Sequence, residues 1–314
     1  MKTRAPWVLL LAARVAVAAG SGAAAPQEPR TFNTADHVHN GISRNVVSLS
    51  RWIDSFFGNY PVEEERLDDR VRVIPLVEFR EGDSPSLKLR VSAKLRLPQL
   101  NRRLGLVLSA FQDENSAQFG VPGQFSDDED VRQAALRYVL EEEKRLRVHA
   151  DLGLRFYPEP DPYVRLRWRY QLTEDPVASR VIQYLFWSPR RGWGETTRFE
   201  MEEKLAPKTF VRSTTAATWS EQSRGVDWSQ GYSAWYYFSR RRAMGLDWLT
   251  DGFTDPRLSV DKHRFTFKYR RRVARDWLFL QVAPFLEWPR DRDFRTTPGI
   301  TLQMETIFGT GPWF

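Results

Sequence analysis

YVRLRWRYQL, running from Tyr163 to Leu172, decides the fold. Arg165, Arg167 and Arg169 alternate with Val164, Leu166, Trp168, Tyr170 and Leu172. In an extended chain successive side chains leave on opposite faces, so one face here is cationic and the other apolar. A helix cannot separate residues that alternate at a period of two. What remains is to decide which face meets which solvent.

The same period recurs from residue 69 to the end of the chain. VRVIPLVEF comes first, and SLKLRVSAKLRL follows with Leu87, Leu89, Val91, Ala93, Leu95 and Leu97 on one phase. Lys88, Arg90, Ser92, Lys94 and Arg96 occupy the other phase. RLRVHADLGLRF, SRVIQYLFW, GETTRFEMEEKL, LSVDKHRFTFKYRRR, RDWLFLQVAPFLEW and GITLQMETIF are among the later runs. There are about 14 in all, each of a length that a tilted strand needs to cross a bilayer. Hydropathy averaged along such a chain reads as soluble, because the alternation cancels.

Composition and the N-terminus narrow the class. The 314 residues carry a formal net charge of +7 and no cysteine, which excludes a disulfide framework, a thiolate metal site and a cysteine nucleophile. MKTR followed by PWVLLLAARVAVAAG, with small residues at 16–18 and 23–25, predicts a signal peptide over residues 1–25. Its apolar run is shorter than the ~20 residues of a membrane helix. Residues 26–68 read as a periplasmic linker holding one short amphipathic helix at 41–58. Ile42, Val46, Leu49, Ile53 and Phe56 form its apolar stripe, and Gly58 and Pro61 supply the stop.

Alternation alone also fits a soluble sandwich. Export, one nearly charge-free phase in most runs, and aromatics close to the turns favour a barrel in the outer membrane. Trp187, Trp193, Trp219, Trp228, Trp277 and Trp288 hold those positions, as in interfacial girdles. With the N-terminus inside, the acidic stretch at 113–130 becomes an outer loop, and PQLN, EEEK, LAPK and SRRR become short inner turns. The expected fold is therefore all-β: an antiparallel, up-and-down transmembrane β-barrel of about 14 strands, with 12 to 16 allowed, over residues 69–308. Residues 309–314 form a C-terminal tail.

Two resemblances add to this reading. Ile300, Leu302, Met304 and Phe308 resemble the C-terminal strand signal of Gram-negative outer-membrane proteins, which implies recognition by the barrel assembly machinery. SRWIDSFFG, SAKLRLPQLNRRLGLVLS, GWGETTRFE, TWSEQSRGVDWS and YRRRVARDWLFLQVAPFLEWPR resemble an uncharacterised family of proteobacterial exported outer-membrane β-barrel proteins, over residues 41–308. The resemblance implies a Gram-negative outer-membrane location and no particular activity.

The candidate site is the charged phase. Lys88, Arg90, Lys94, Arg96, Arg147, Arg155, Arg165, Arg167, Arg169, Lys262, Arg264, Lys268 and Arg270 share it in four runs, and Asp151 opposes them there. A cation facing lipid costs about 2–4 kcal/mol at the midplane, so this phase is expected to line the lumen. Glu78, Glu200, Glu202, Asp247 and Glu305 are expected beside it. Two outcomes stay open: an interior neutralised by its own acids in a structural barrel, or a passive pore favouring small anionic solutes.

Other chemistry has thinner support. Arg–aromatic alternation also marks nucleic-acid surfaces, but export and the number of strands argue against one. His37 and His39 fall in the linker, and His149 sits on the charged phase between Arg147 and Asp151. His263 falls on the apolar phase with Ser259 nearby in phase, which carries the alternative of an outer-membrane lipid-modifying hydrolase. No nucleotide-binding glycine motif or serine elbow is present, so no cofactor and no metal is expected. The expected partners are outer-membrane lipids, lipopolysaccharide and the assembly machinery.

Overall fold

A computed structural model of the chain describes residues 70–96, 103–111, 131–143, 145–156, 159–174, 177–275 and 277–309. The signal peptide, the linker with His37 and His39, the helix at 41–58, the acidic stretch at 113–130 and residues 310–314 lie outside the described residues.

Fourteen strands follow one another: β1 (Arg70–Arg80), β2 (Ser86–Arg96), β3 (Leu104–Phe111), β4 (Val131–Glu142), β5 (Leu146–Phe156), β6 (Pro160–Thr173), β7 (Val177–Ser188), β8 (Gly192–Ala206), β9 (Thr209–Ser220), β10 (Val226–Ser239), β11 (Arg242–Phe253), β12 (Ser259–Arg272), β13 (Leu278–Pro289) and β14 (Thr297–Gly309). Each pairs antiparallel with its sequence neighbours, and β14 pairs with β1 to close the barrel. Closure leaves no strand edge with unpaired backbone groups. At the seam Val77 lies opposite Leu302 and Glu78 opposite Thr301.

Burial follows the period of two. Along β6, Asp161, Tyr163, Arg165 and Arg167 are buried while Val164 and Leu172 are exposed. Leu87 at 77% and Leu152 at 61% exposure show how apolar the outer phase is. In a closed barrel the buried phase is the inner one. Some strands run longer than the periodic stretches: β6 opens at Pro160, and β14 spans thirteen residues from Thr297.

The apolar residues are not confined to the outer face. In β7 the inward residues include Ile182, Tyr184 and Phe186, and in β13 they include Phe279 and Phe285. Several of these rings lie over a glycine directly opposite on the next strand: Tyr163 over Gly153, Phe186 over Gly194, Trp235 over Gly245 and Phe285 over Gly299. A Cβ at Gly299 would sit 2.2 Å from the Phe285 ring, and one at Gly153 2.5 Å from the Tyr163 ring. The glycines are there because each ring needs the space a side chain would fill.

Candidate functional site

Cross-strand register builds the charged interior. Asp151 on β5 lies opposite Arg137 on β4 and Arg165 on β6. Arg137 donates to both its oxygens, at 2.8 Å and 2.9 Å, and Arg165 donates to Oδ2 at 2.7 Å. Glu202 on β8 lies opposite Arg212 and accepts from it and from Arg180, each at 2.7 Å. Glu200, which is fully buried, pairs with Arg180 and Arg198. Opposite charges facing each other across a pair of strands both stabilise the ladder and fix its register.

The remaining carboxylates follow the same logic. Asp247 pairs with Lys268 at 2.9 Å and accepts from Ser233 Oγ at 2.5 Å. Glu305 accepts from Arg270 at 2.5 Å and lies 3.6 Å from Arg72. Glu78 accepts from Thr301 at 3.0 Å and lies 3.6 Å from Arg264. Glu287 holds Arg80 at 3.2 Å and Lys262 at 3.4 Å. Arg155 reaches Asp161 at 3.4 Å.

Inward rings carry guanidinium groups as well. Arg264 lies 3.8 Å from the Phe285 centroid and Arg270 4.4 Å from that of Phe279. Arg155 is 4.7 Å from the Tyr163 ring. Stacked on a ring face, a guanidinium is held flat and its direction is fixed.

Of the sequence-predicted cations, Lys94, Arg155, Arg165, Arg167, Arg264, Lys268 and Arg270 are buried. Lys88, Arg90, Arg147, Arg169 and Lys262 are half-buried, and the Arg96 side chain lies outside the described residues. Glu78, Asp151, Glu200, Glu202, Asp247 and Glu305 are all buried. Sequence reasoning missed Arg72, Arg137, Arg180, Arg198, Arg212, Arg272, Asp161 and Glu287, which are buried too. The signal existed for Arg198, which shares the phase of Glu200 and Glu202 two and four residues on.

His149 is buried on the inner phase beside Asp151. His263 faces outward, and its Nδ1 lies 2.9 Å from the Thr250 hydroxyl. Its ring is 5.7 Å from that of Trp248, which is itself 5.7 Å from Trp288, so His263 belongs to an aromatic cluster. Among the described residues no three His, Asp or Glu side chains converge as metal ligands.

No family model and no curated protein matches the sequence. Solved structures do. CymD, a monoaromatic hydrocarbon channel, aligns at 9% identity and a TM-score of 0.48 over 80% of this chain and 91% of its own. OccAB2 of Acinetobacter baumannii aligns at 7% identity and 0.44 over 78% and 98%. A loop-deleted OmpT, an outer membrane protein of Vibrio cholerae, aligns at 12% identity and 0.42 over 77% and 98%. Identities this low transfer no residue role to this chain.

Proposed function

We propose that the protein is an integral β-barrel of the Gram-negative outer membrane and a passive pore whose basic interior favours small anionic solutes. One observation carries the anion preference. Among the described residues 13 Arg and Lys side chains are buried against 8 Asp and Glu, an excess of five positive charges inside a low-dielectric wall. The membrane location is supported by the outer face, where leucines alternate out of a closed barrel with no free edge.

The ion pairs hold the wall in register, and the excess sets the sign of the field that a passing solute meets. Planar-bilayer recording of the purified protein in a salt gradient tests the reading. The expected result is discrete conductance steps with a reversal potential on the anion side. Silence from the full chain and from a variant lacking residues 41–58 would leave a structural barrel, and cation preference would overturn the reading outright.

The hydrolase alternative rests on His263. Its hydroxyl partner is Thr250 rather than Ser259, and it sits in an aromatic girdle, so we assign it a structural part there. His263→Ala is expected to leave phospholipid hydrolysis by the purified protein at its wild-type level, as measured by fatty-acid release.

A further inference from the structure

The outer face is not uniform. On β2, β5 and β13 it presents exposed leucines, among them Leu87, Leu89, Leu152, Leu280 and Leu286. On β7 to β10 the same phase carries Gln183, Glu195, Thr197, Ser213, Thr215 and Gln230. Thr197 Oγ1 donates to Gln183 Oε1 at 2.6 Å, and Gln183 Nε2 to Glu195 Oε2 at 3.4 Å. Thr215 Oγ1 donates to Gln230 Oε1 at 2.5 Å, and Gln230 Nε2 to Ser213 Oγ at 3.1 Å.

The molecule supplies its own depth ruler. Trp187, Trp193 and Trp219 are exposed near one end of β7, β8 and β9. Gln183, Thr197 and Thr215 each lie four residues further along the same strand. At about 3.3 Å per residue and a tilt of about 40°, that is about 10 Å below the tryptophans. An apolar band is about 25 Å tall, so Gln183, Thr197 and Thr215 fall well inside it, while Glu195, opposite Trp219, stays level with the tryptophans.

A lipid chain cannot answer two amides and their hydroxyl partners. The four hydrogen bonds use part of their capacity, and the remainder is costly in hydrocarbon. β9 also presents Ser213, Thr215 and Ala217 in succession, a flat strip of small side chains that lets another surface come close. Only a second membrane-spanning protein can reach this depth. Amide and hydroxyl groups both donate and accept, so an identical face turned by a two-fold axis is complementary to this one.

We propose that the outer face of β7 to β10 is a self-association surface, which docks the same face of a second copy of this chain within the membrane. The proposal rests on the outer-membrane reading above. The chain has no cysteine, so Thr215→Cys, or Ser213→Cys, introduces its sole thiol. A disulfide needs Cβ atoms about 3.5–4.5 Å apart, so only an intimate contact can link them. In oxidised outer-membrane preparations either variant is expected to shift to twice the monomer mass, while Leu280→Cys on β13 stays at monomer mass. Heat-modifiable migration of the same samples reports separately that the barrel is inserted. Inserted barrels in which both polar-face variants stay monomeric, or link no more than Leu280→Cys, would overturn self-association alone. A cross-link to a protein of another mass would overturn the second copy as occupant. Loss of heat-modifiable migration would overturn both the membrane reading and this one.

Discussion

At the residue scale, Asp151 is the anion on which two cations depend. It is buried between Arg137 and Arg165, and both reach it at hydrogen-bond distance. Asp151→Asn keeps the shape and removes the charge, leaving two guanidinium groups facing a neutral amide. Breaking a buried pair in this way costs about 3–5 kcal/mol. Guanidinium unfolding of the refolded protein in detergent is expected to show that loss. Gly299 makes a steric counterpart. The Phe285 ring fills the place of a Cβ and carries Arg264 on its face. Gly299→Ala is expected to destabilise by about 1–3 kcal/mol, the range for overpacking, in the same assay.

At the scale of the element, legibility depended on contrast between the two phases. β6 was readable because Arg165, Arg167 and Arg169 share one phase and the other holds no charge. β7 and β13 were read only as strands. Phe186 and Trp187, or Phe279 and Leu280, are equally apolar neighbours, and periodicity cannot say which turns inward. Burial assigns both Phe186 and Phe279 to the inner face, and register places Phe186 against Gly194. Gln183 and Glu195 went unnoticed for the opposite reason, being lone polar residues within phases that otherwise look lipid-facing.

The connectors add an electrostatic clasp at this scale. Arg292, in the 3-10 turn between β13 and β14, donates to the Glu81 carbonyl at 2.6 Å and to Asp83 at 2.8 Å. Asp83 in the β1–β2 turn is also bound by Arg80, and that hydrogen bond, above all else, holds its carboxyl below the usual aspartate value. A depressed carboxylate pKa contributes stability that is complete above the unfolded value and is lost as pH falls through the folded one. Amide exchange at residues 81–83 is therefore expected to hold steady from pH 7 to about 5, once corrected for intrinsic rates, and to lose protection below about pH 4.

For the whole molecule, the field of the interior is a sum that mutation can shift. Lys88 and Arg90 lie on the inner phase of β2, opposite Leu76 and Ile74. They are half-buried, so they tolerate replacement better than the fully buried arginines. Lys88→Glu combined with Arg90→Glu removes two positive charges and adds two negative ones, a change of four beside a buried excess of five. The reversal potential in a salt gradient is expected to move toward zero, with little loss of conductance. The architecture at this scale was legible in the sequence, because the export signal, the nearly charge-free phase and the aromatics near the turns favoured a barrel over a sandwich of the same alternation. The partners of each charge were not, because Glu305 reaches Arg270 across the intervening β13, a contact invisible to any single run.

The seam between β1 and β14 carries one further consequence. Arg72 meets Glu305, Glu78 meets Arg264 and Thr301, and Arg80 meets Glu287, so the first strand is tied by charge to the last three. These partners lie more than 180 residues apart in the chain, and none can meet before the final hairpin exists. Loop closure over such a distance is slow and comes late in folding. The barrel can therefore close only once the whole chain is present. A product truncated before β13 would lack Glu305 for Arg72, Thr301 for Glu78 and Glu287 for Arg80, and would mark itself as unfinished.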